Sequence, residues 1–368
     1  MFSSRRHAIA LIGGGLVLAA TGATIGFAAT RTPKAAIAPW SHAADEREPR
    51  RRALSHAILA PNPHNRQPWL ADLRQPDRIV IHRDPVRNLP MTDPHDRQLT
   101  IGMGCFVELL ALAAAEDGYA VDFAFFPEGE DGPVAVATFG EGGKADPLFA
   151  HVLDRRSCKE PFEDRAVAAA NVAALSSHAR IIDDAARVAE LRDLTWRAWE
   201  IEAQTPRTYR ESVDLMRFGK AEIEANPDGI DLGGVFLEGM MALGLLTREQ
   251  QLDPTSVAFR KGVEIYRTML AATPAYAVLT SLSNGRLDQI EAGRRWLRLN
   301  LATTGLGLAL HPVSQALQEY PEMDETRRRL HDLLAEPGQT VQMLGRLGHG
   351  PKRAPSPRWP VETRIMNG

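Results

Sequence analysis

The sequence predicts an α+β fold built from two related halves, and three observations lead to it. Long stretches with helical spacing of apolar residues are interrupted by short β-branched or aromatic runs. Two of those helical stretches carry glycines and alanines at one constant offset. Each is followed by extended segments, the pattern of a repeated α+β unit. With 368 residues, 44% hydrophobic and 24% charged, the chain can bury a sizeable core.

Residues 1–34, "MFSSRRHAIALIGGGLVLAATGATIGFAATRTPK", place Arg5 and Arg6 before an uncharged run from Ala8 to Thr30. Its glycines, alanines and threonines keep that run weakly hydrophobic, which reads as a twin-arginine export signal and not as part of the fold. The expected partner is the twin-arginine export machinery. Ala36-Ile37-Ala38 is followed by Pro39 and makes a poor cleavage site, so two fates stay open: a free periplasmic protein, or one anchored in the membrane and facing outward. Residues 35–50, rich in Ala, Pro and charge, read as a solvated linker.

The first half, residues 51–150, opens with a helix over Arg52–Leu59. Extended runs follow at Asp77–Arg83, Ala120–Pro127 and Pro133–Gly140, and between the first two lies a buried helix, "IGMGCFVELLALAAAEDGY", ended by Gly118. The second half, residues 151–368, repeats this in outline. Glu291–Leu317 is a helix running into a Gly-rich end and a short extended segment, and "TVQMLGRLGHG" is a strand. Gly104, Ala113 and Gly118 align with Gly293, Ala302 and Gly307 at an offset of 189 residues. Glu190–Arg260 is mostly helical and charged, with "NPDGIDLGG" as a breaker; around residues 205–235 it reads as an insertion able to act as a lid.

Several classes are excluded. Forty-three basic and forty-six acidic residues give a net charge of −3 with no basic–aromatic patch, which argues against nucleic acid as a partner. Cys105 and Cys158 lack metal or redox spacing, and the eleven histidines share no ligand pattern, so no metal is expected. Gly305 and Gly307 would need a third glycine at Leu310, and Gly102 and Gly104 one at Val107, so neither pair is a dinucleotide fingerprint. Walker A, HExxH, EF-hand and GxSxG patterns are absent, and Ser157 with Lys159 lacks the partners of a hydrolase.

Two motifs carry chemistry. "LAPNPHNRQPW" (Leu59–Trp69) is stiffened by prolines and crowded with amides that both donate and accept, which suits a heterocycle such as a flavin or pterin. A plain helix-to-strand turn with Trp69 in the core fits the same residues. "DRRSCKEPF" (Asp154–Phe162) sets Arg155, Ser157 and Lys159 at alternate positions, so an extended backbone would aim all three one way, as a grip for phosphate. A solvated charged turn fits it too.

Together with "DPVRNLPMTDPHDRQLTIGMG" (Asp84–Gly104), "LMRFGKAEIEANPDGI" (Leu215–Ile230), "GLGLALHPVSQAL" (Gly305–Leu317) and "GHGPKRAPSPRWPVE" (Gly348–Glu362), these motifs resemble the nitroreductase-like FMN-binding flavoproteins, in particular their Acg-like branch. The resemblance covers nearly the whole chain after the signal. It implies a nitroreductase-like fold in which the two halves form an internal pseudo-dimer around a single FMN site. It also implies an NAD(P)H oxidoreductase in which hydride passes through flavin N5, with no protein acid or base as catalyst.

By the same resemblance Pro61, Asn62, Pro63 and Asn65 contact the flavin from the first half, and Arg155, Ser157 and Lys159 from the second. The family segment that sets backbone amides near N5 and O4 falls here on Pro312, Ser314 and Gln315. The family's C-terminal Lys-x-Arg falls on Ser356-Pro357-Arg358, so Arg358 survives and one positive charge is lost, with Arg156 or Lys352 able to replace it. Relatives with a lid imply an alternative: an FMN-sequestering protein with an occluded site and little turnover.

Overall fold

A computed structural model of the protein describes residues 30–366. The predicted export signal lies, up to residue 29, outside the described residues. After a helix α1 (Pro49–Ala57), the strands β1 (Trp69–Asp72), β2 (Arg78–Arg83), β3 (Tyr119–Phe125) and β4 (Ala135–Glu141) pair antiparallel in the order β1-β2-β4-β3. The helix α2 (Arg97–Glu116) separates β2 from β3.

The second sheet repeats that plan. Its strands β5 (Arg180–Ile182), β8 (Ala275–Ser281), β9 (Ala309–Pro312) and β10 (Thr340–Gly348) pair antiparallel in the order β5-β8-β10-β9. A long helix, Arg286–Gly305, stands between β8 and β9 as α2 stands between β2 and β3. Both helices end at a glycine with positive φ, Gly118 at +82° and Gly307 at +66°, a conformation that costs glycine little. The second helix ends at Gly305 and Gly307 turns the chain into β9, the helix, Gly-rich end and short extended segment that the sequence predicts there.

The core explains the sequence patterns. Between the sheets, α2 and the Arg286–Gly305 helix share one apolar cluster with Ile79, Ile81 and Ala137 of the first sheet and Ala277, Leu279 and Leu347 of the second. The outer face of the second sheet is also covered, by α3 (Ala185–Gln204) and its neighbours, so Tyr276 and Val278 are buried alongside Ala277. With both faces covered, β8 reads as a continuous apolar run, which the sequence reading passed over. The strand β3 alternates between half-buried and exposed residues because its outer face is uncovered. The helix α2 is long and apolar enough to cross a membrane, yet it is nearly all buried in this core. Cys105 and Cys158 are both free and buried.

Two segments depart from the expected layout. The stretch 35–50 is not a solvated linker: short helices at Lys34–Ile37 and Pro39–His42 dock on the body and bury Ala36, Trp40 and Ala43. The apolar side chains in the charged run bury against the body, and the Trp40 indole donates to the Ser356 carbonyl. At the other end β11 (Ile365–Met366) pairs parallel with β1, so the chain's last described strand completes the first sheet.

The predicted lid region holds a helix at Pro206–Asp214 and a small parallel pair, β6 (Met216–Phe218) and β7 (Ile230–Leu232). It is fastened down. Asp228, just before β7, is buried and accepts from Arg66 (3.2 Å), Arg87 (2.7 Å) and Arg217 (2.6 Å). Two of those arginines belong to the first half.

Candidate functional site

The stiff loop after α1 is as unusual as its sequence. His64, Asn65 and Gln67 all adopt positive φ, at 47°, 52° and 51°. Such strain persists only where neighbours hold it. Asn62 accepts from the Gln67 amide at 2.7 Å and packs on α2 at Gly102, where a Cβ would come within 3.0 Å of the Asn62 side chain. Gln67, fully buried, donates to the Pro227 carbonyl at 2.7 Å and accepts from the Trp359 amide at 2.9 Å, fixing the loop to the insertion and to the C-terminal tail. Pro61 and Pro63 are half-buried at its start.

Arg155 and Arg358, 203 residues apart in sequence, converge on that loop. Both are 2% exposed and both donate to the Leu59 carbonyl, at 2.9 and 3.1 Å. Arg155 also donates to Asn300 at 3.0 Å, and Arg358 to Asn65 at 2.6 Å and Ser356 at 2.8 Å. Among the described residues no carboxylate touches either. Burial, then the neighbouring Arg156, pushes Arg155 down to about 10; burial, then Arg155 and Arg156, holds Arg358 well below its ordinary value.

Arg156 completes the cluster, lying 4.3 Å from the Trp40 ring centroid, with Arg358 and Arg155 at 5.4 and 5.7 Å. The other candidate for the lost charge, Lys352, is an exposed residue paired with Asp154 at 3.1 Å. The Nε atoms of Arg156 and Arg358 are buried without a hydrogen-bond partner among the described residues. Gathered guanidiniums with neutral partners and unclaimed N–H edges fit an oxyanion, and a phosphate would relieve the cost of their burial.

The expected row of Arg155, Ser157 and Lys159 does not form. Arg155 is still part of a turn, its amide bonded to the His151 carbonyl at 2.9 Å, so strand alternation begins only after it. Ser157 bridges to Leu310 beside β9, and it and Lys159 lie on the exposed side while Cys158 turns inward. Lys159 sits close enough to His64 and His311 to help keep both neutral. Burial, then Lys159 and Arg66, pushes His64 down to about 4, and burial with Arg346 and Lys159 holds His311 well below its usual value. Arg346 can only donate, so His311 Nδ1, 3.2 Å away, accepts and the proton sits on Nε2.

Pro312 ends β9 opposite Gly345, and Ser314 opens the turn Gln315–Leu317. Gln315 faces Glu202 of α3, whose carboxyl is pushed up by burial against hydrogen bonds from Gln318, Ser212 and Gln315. Sequence reasoning missed Trp40, His64, Gln67 and Asp228. The doubled arginine in "DRRSC" and the "NRQPW" run carried a signal for Arg156 and Gln67; nothing in the charged stretch around Trp40 marked it. Among the described residues no three His, Cys, Asp or Glu side chains gather as a metal site.

No family model matches the chain. Two proteins from strains of Mycobacterium tuberculosis, both provisionally named NAD(P)H nitroreductases, are 23% identical to it over 338 residues, 85% of this chain and 92% of theirs. A solved nitroreductase-like family protein from Bacillus cereus aligns with 61% of this chain and 98% of its own at 12% identity and a TM-score of 0.33. One from Anabaena variabilis, provisionally described as a nitroreductase, aligns over 74% and 69% at 12% identity and a TM-score of 0.39.

Proposed function

We propose that the chain is an FMN-dependent NAD(P)H oxidoreductase of the nitroreductase type, of the Acg-like branch, and a single-chain pseudo-dimer. The observation that carries this reading is the meeting of Arg155 and Arg358 on the Leu59 carbonyl, with Arg156 beside them and no carboxylate in contact among the described residues. The names of the mycobacterial relatives, matched over 92% of their length, support the reaction type. The pseudo-dimer rests on the shared strand order of the two sheets.

Arg155, Arg156 and Arg358 would hold the phosphate, and the loop at Pro61, Asn62, Pro63 and Asn65, with Ser157, Lys159 and the Pro312–Gln315 backbone, would line the rest. Bound FMN would supply the hydride transfer between NAD(P)H and a second substrate. The protein's own part is electrostatic and positional. Lys159 offers an exposed positive charge beside His64 and His311, whose protonation burial and the nearby Arg66 and Arg346 disfavour, so negative charge developing there would meet cationic side chains. Export by the twin-arginine route to the periplasm, free or membrane-anchored, belongs to the same proposal and rests on Arg5, Arg6 and the run after them.

The absorption spectrum of the purified protein, before and after anaerobic NADH or NADPH, tests this. A flavin spectrum bleached by either is expected. Protein that stays colourless and refuses added FMN overturns it. A second reading, FMN sequestering with little turnover, is favoured by one observation: the insertion is latched by Asp228 to three arginines. Turnover gained by Arg217→Gln would support occlusion, and turnover unchanged from the wild type would count against it.

A further inference from the structure

We infer that residues 30–43 form a strap whose Trp40 closes the oxyanion site, so that retention of a phosphate-bearing ligand depends on a segment outside both sheets. This rests on the reading above. The strap is anchored at both ends. Arg31 pairs with Glu238 of the helical insertion at 2.9 Å, the Ala36 carbonyl accepts from the Arg358 amide at 2.8 Å, and the Trp40 indole N–H donates to the Ser356 carbonyl at 2.8 Å. It thereby ties the insertion to the guanidinium cluster.

The geometry makes Trp40 a cover and not a competitor. A guanidinium binds oxygen at its N–H edges and an aromatic ring on its face. Trp40, 6% exposed, lies over Arg156, Arg155 and Arg358, while the Nε edges of Arg156 and Arg358 stay unclaimed. An anion at those edges keeps its charge-assisted bonds, and the ring keeps water away from them. Lower local polarity strengthens each of those bonds.

The test follows FMN release by flavin fluorescence in the full chain, with riboflavin, which lacks the phosphate, as control. Trp40→Ala is expected to speed FMN release roughly tenfold and Trp40→Phe no more than about threefold, while riboflavin affinity stays put in both. In the wild type, FMN but not riboflavin should slow tryptic cleavage after the exposed Lys34. That arm needs no variant, so it stands even if Trp40→Ala fails to fold. Unchanged release, tighter FMN binding without the indole, or an equal loss for riboflavin overturns the strap. A wild-type chain that takes no FMN sinks the flavin reading alone; the strap is then judged by inorganic phosphate, and absent protection of Lys34 overturns it.

Discussion

Gly104 and Gly293 meet where the two central helices cross, and they meet reciprocally. A Cβ on Gly104 would lie 2.1 Å from the Ile290 carbonyl oxygen, and one on Gly293 2.0 Å from that of Ile101. Both pairs are related by the same offset of 189 residues, as in a two-fold contact between identical subunits. Neither helix can yield without moving the core. Gly104→Ala and Gly293→Ala should each destabilise the fold by about 3 kcal/mol or more. The double variant should cost less than their sum, because the first already parts the helices. Urea denaturation of the three variants checks both statements; a loss under about 1 kcal/mol for either single change would contradict the crossing.

Asp228 is the only carboxylate within ion-pair distance of Arg66 among the described residues. Asp228→Ala should leave Arg66 and Arg87 buried without it and cost about 3–5 kcal/mol. Hydrogen exchange should show Asn226–Leu232 opening before the sheets do. Uniform exchange across the molecule would show that the latch is not local.

Asn65 holds Arg358 and the Pro357 carbonyl together, at 2.6 and 3.0 Å. Asn65→Ala should weaken FMN binding by roughly tenfold, the value of one charge-assisted hydrogen bond, and loosen the tail beside it. Flavin titration measures the first effect and proteolysis of the tail the second. Unchanged flavin content would remove Asn65 from the site.

His64, held near 4 against 6.5 for an ordinary histidine, binds a proton in the unfolded chain before it does in the folded one. Stability should therefore fall as pH drops from about 6.5 to about 4, this residue contributing a loss of roughly 3 kcal/mol. His64→Asn tolerates the positive φ and removes the titration. Its stability curve should be flatter across that window, and a parallel curve would contradict the assignment.

The motifs named the loop, both ends of the guanidinium cluster and the central helices, because prolines, glycines and helical spacing are local signals. The register of 189 residues came from sequence alone, and it is the register at which the helices cross. Sequence could not show that Arg155 leaves the row of Ser157 and Lys159, since a turn bond to His151 decides it. Nor could it find Trp40, whose surroundings read as solvated until Arg156 and Arg358, distant in the chain, were brought beneath it.

What the sequence by itself determined is the set of parts: two helix–strand units, a stiff amide-rich loop and a supply of arginines. Only the tertiary structure decided which arginines stand together without an acid and what covers them. The reason is physical: spacing governs contacts within one turn or strand, whereas desolvation and charge compensation depend on which distant segments share a volume.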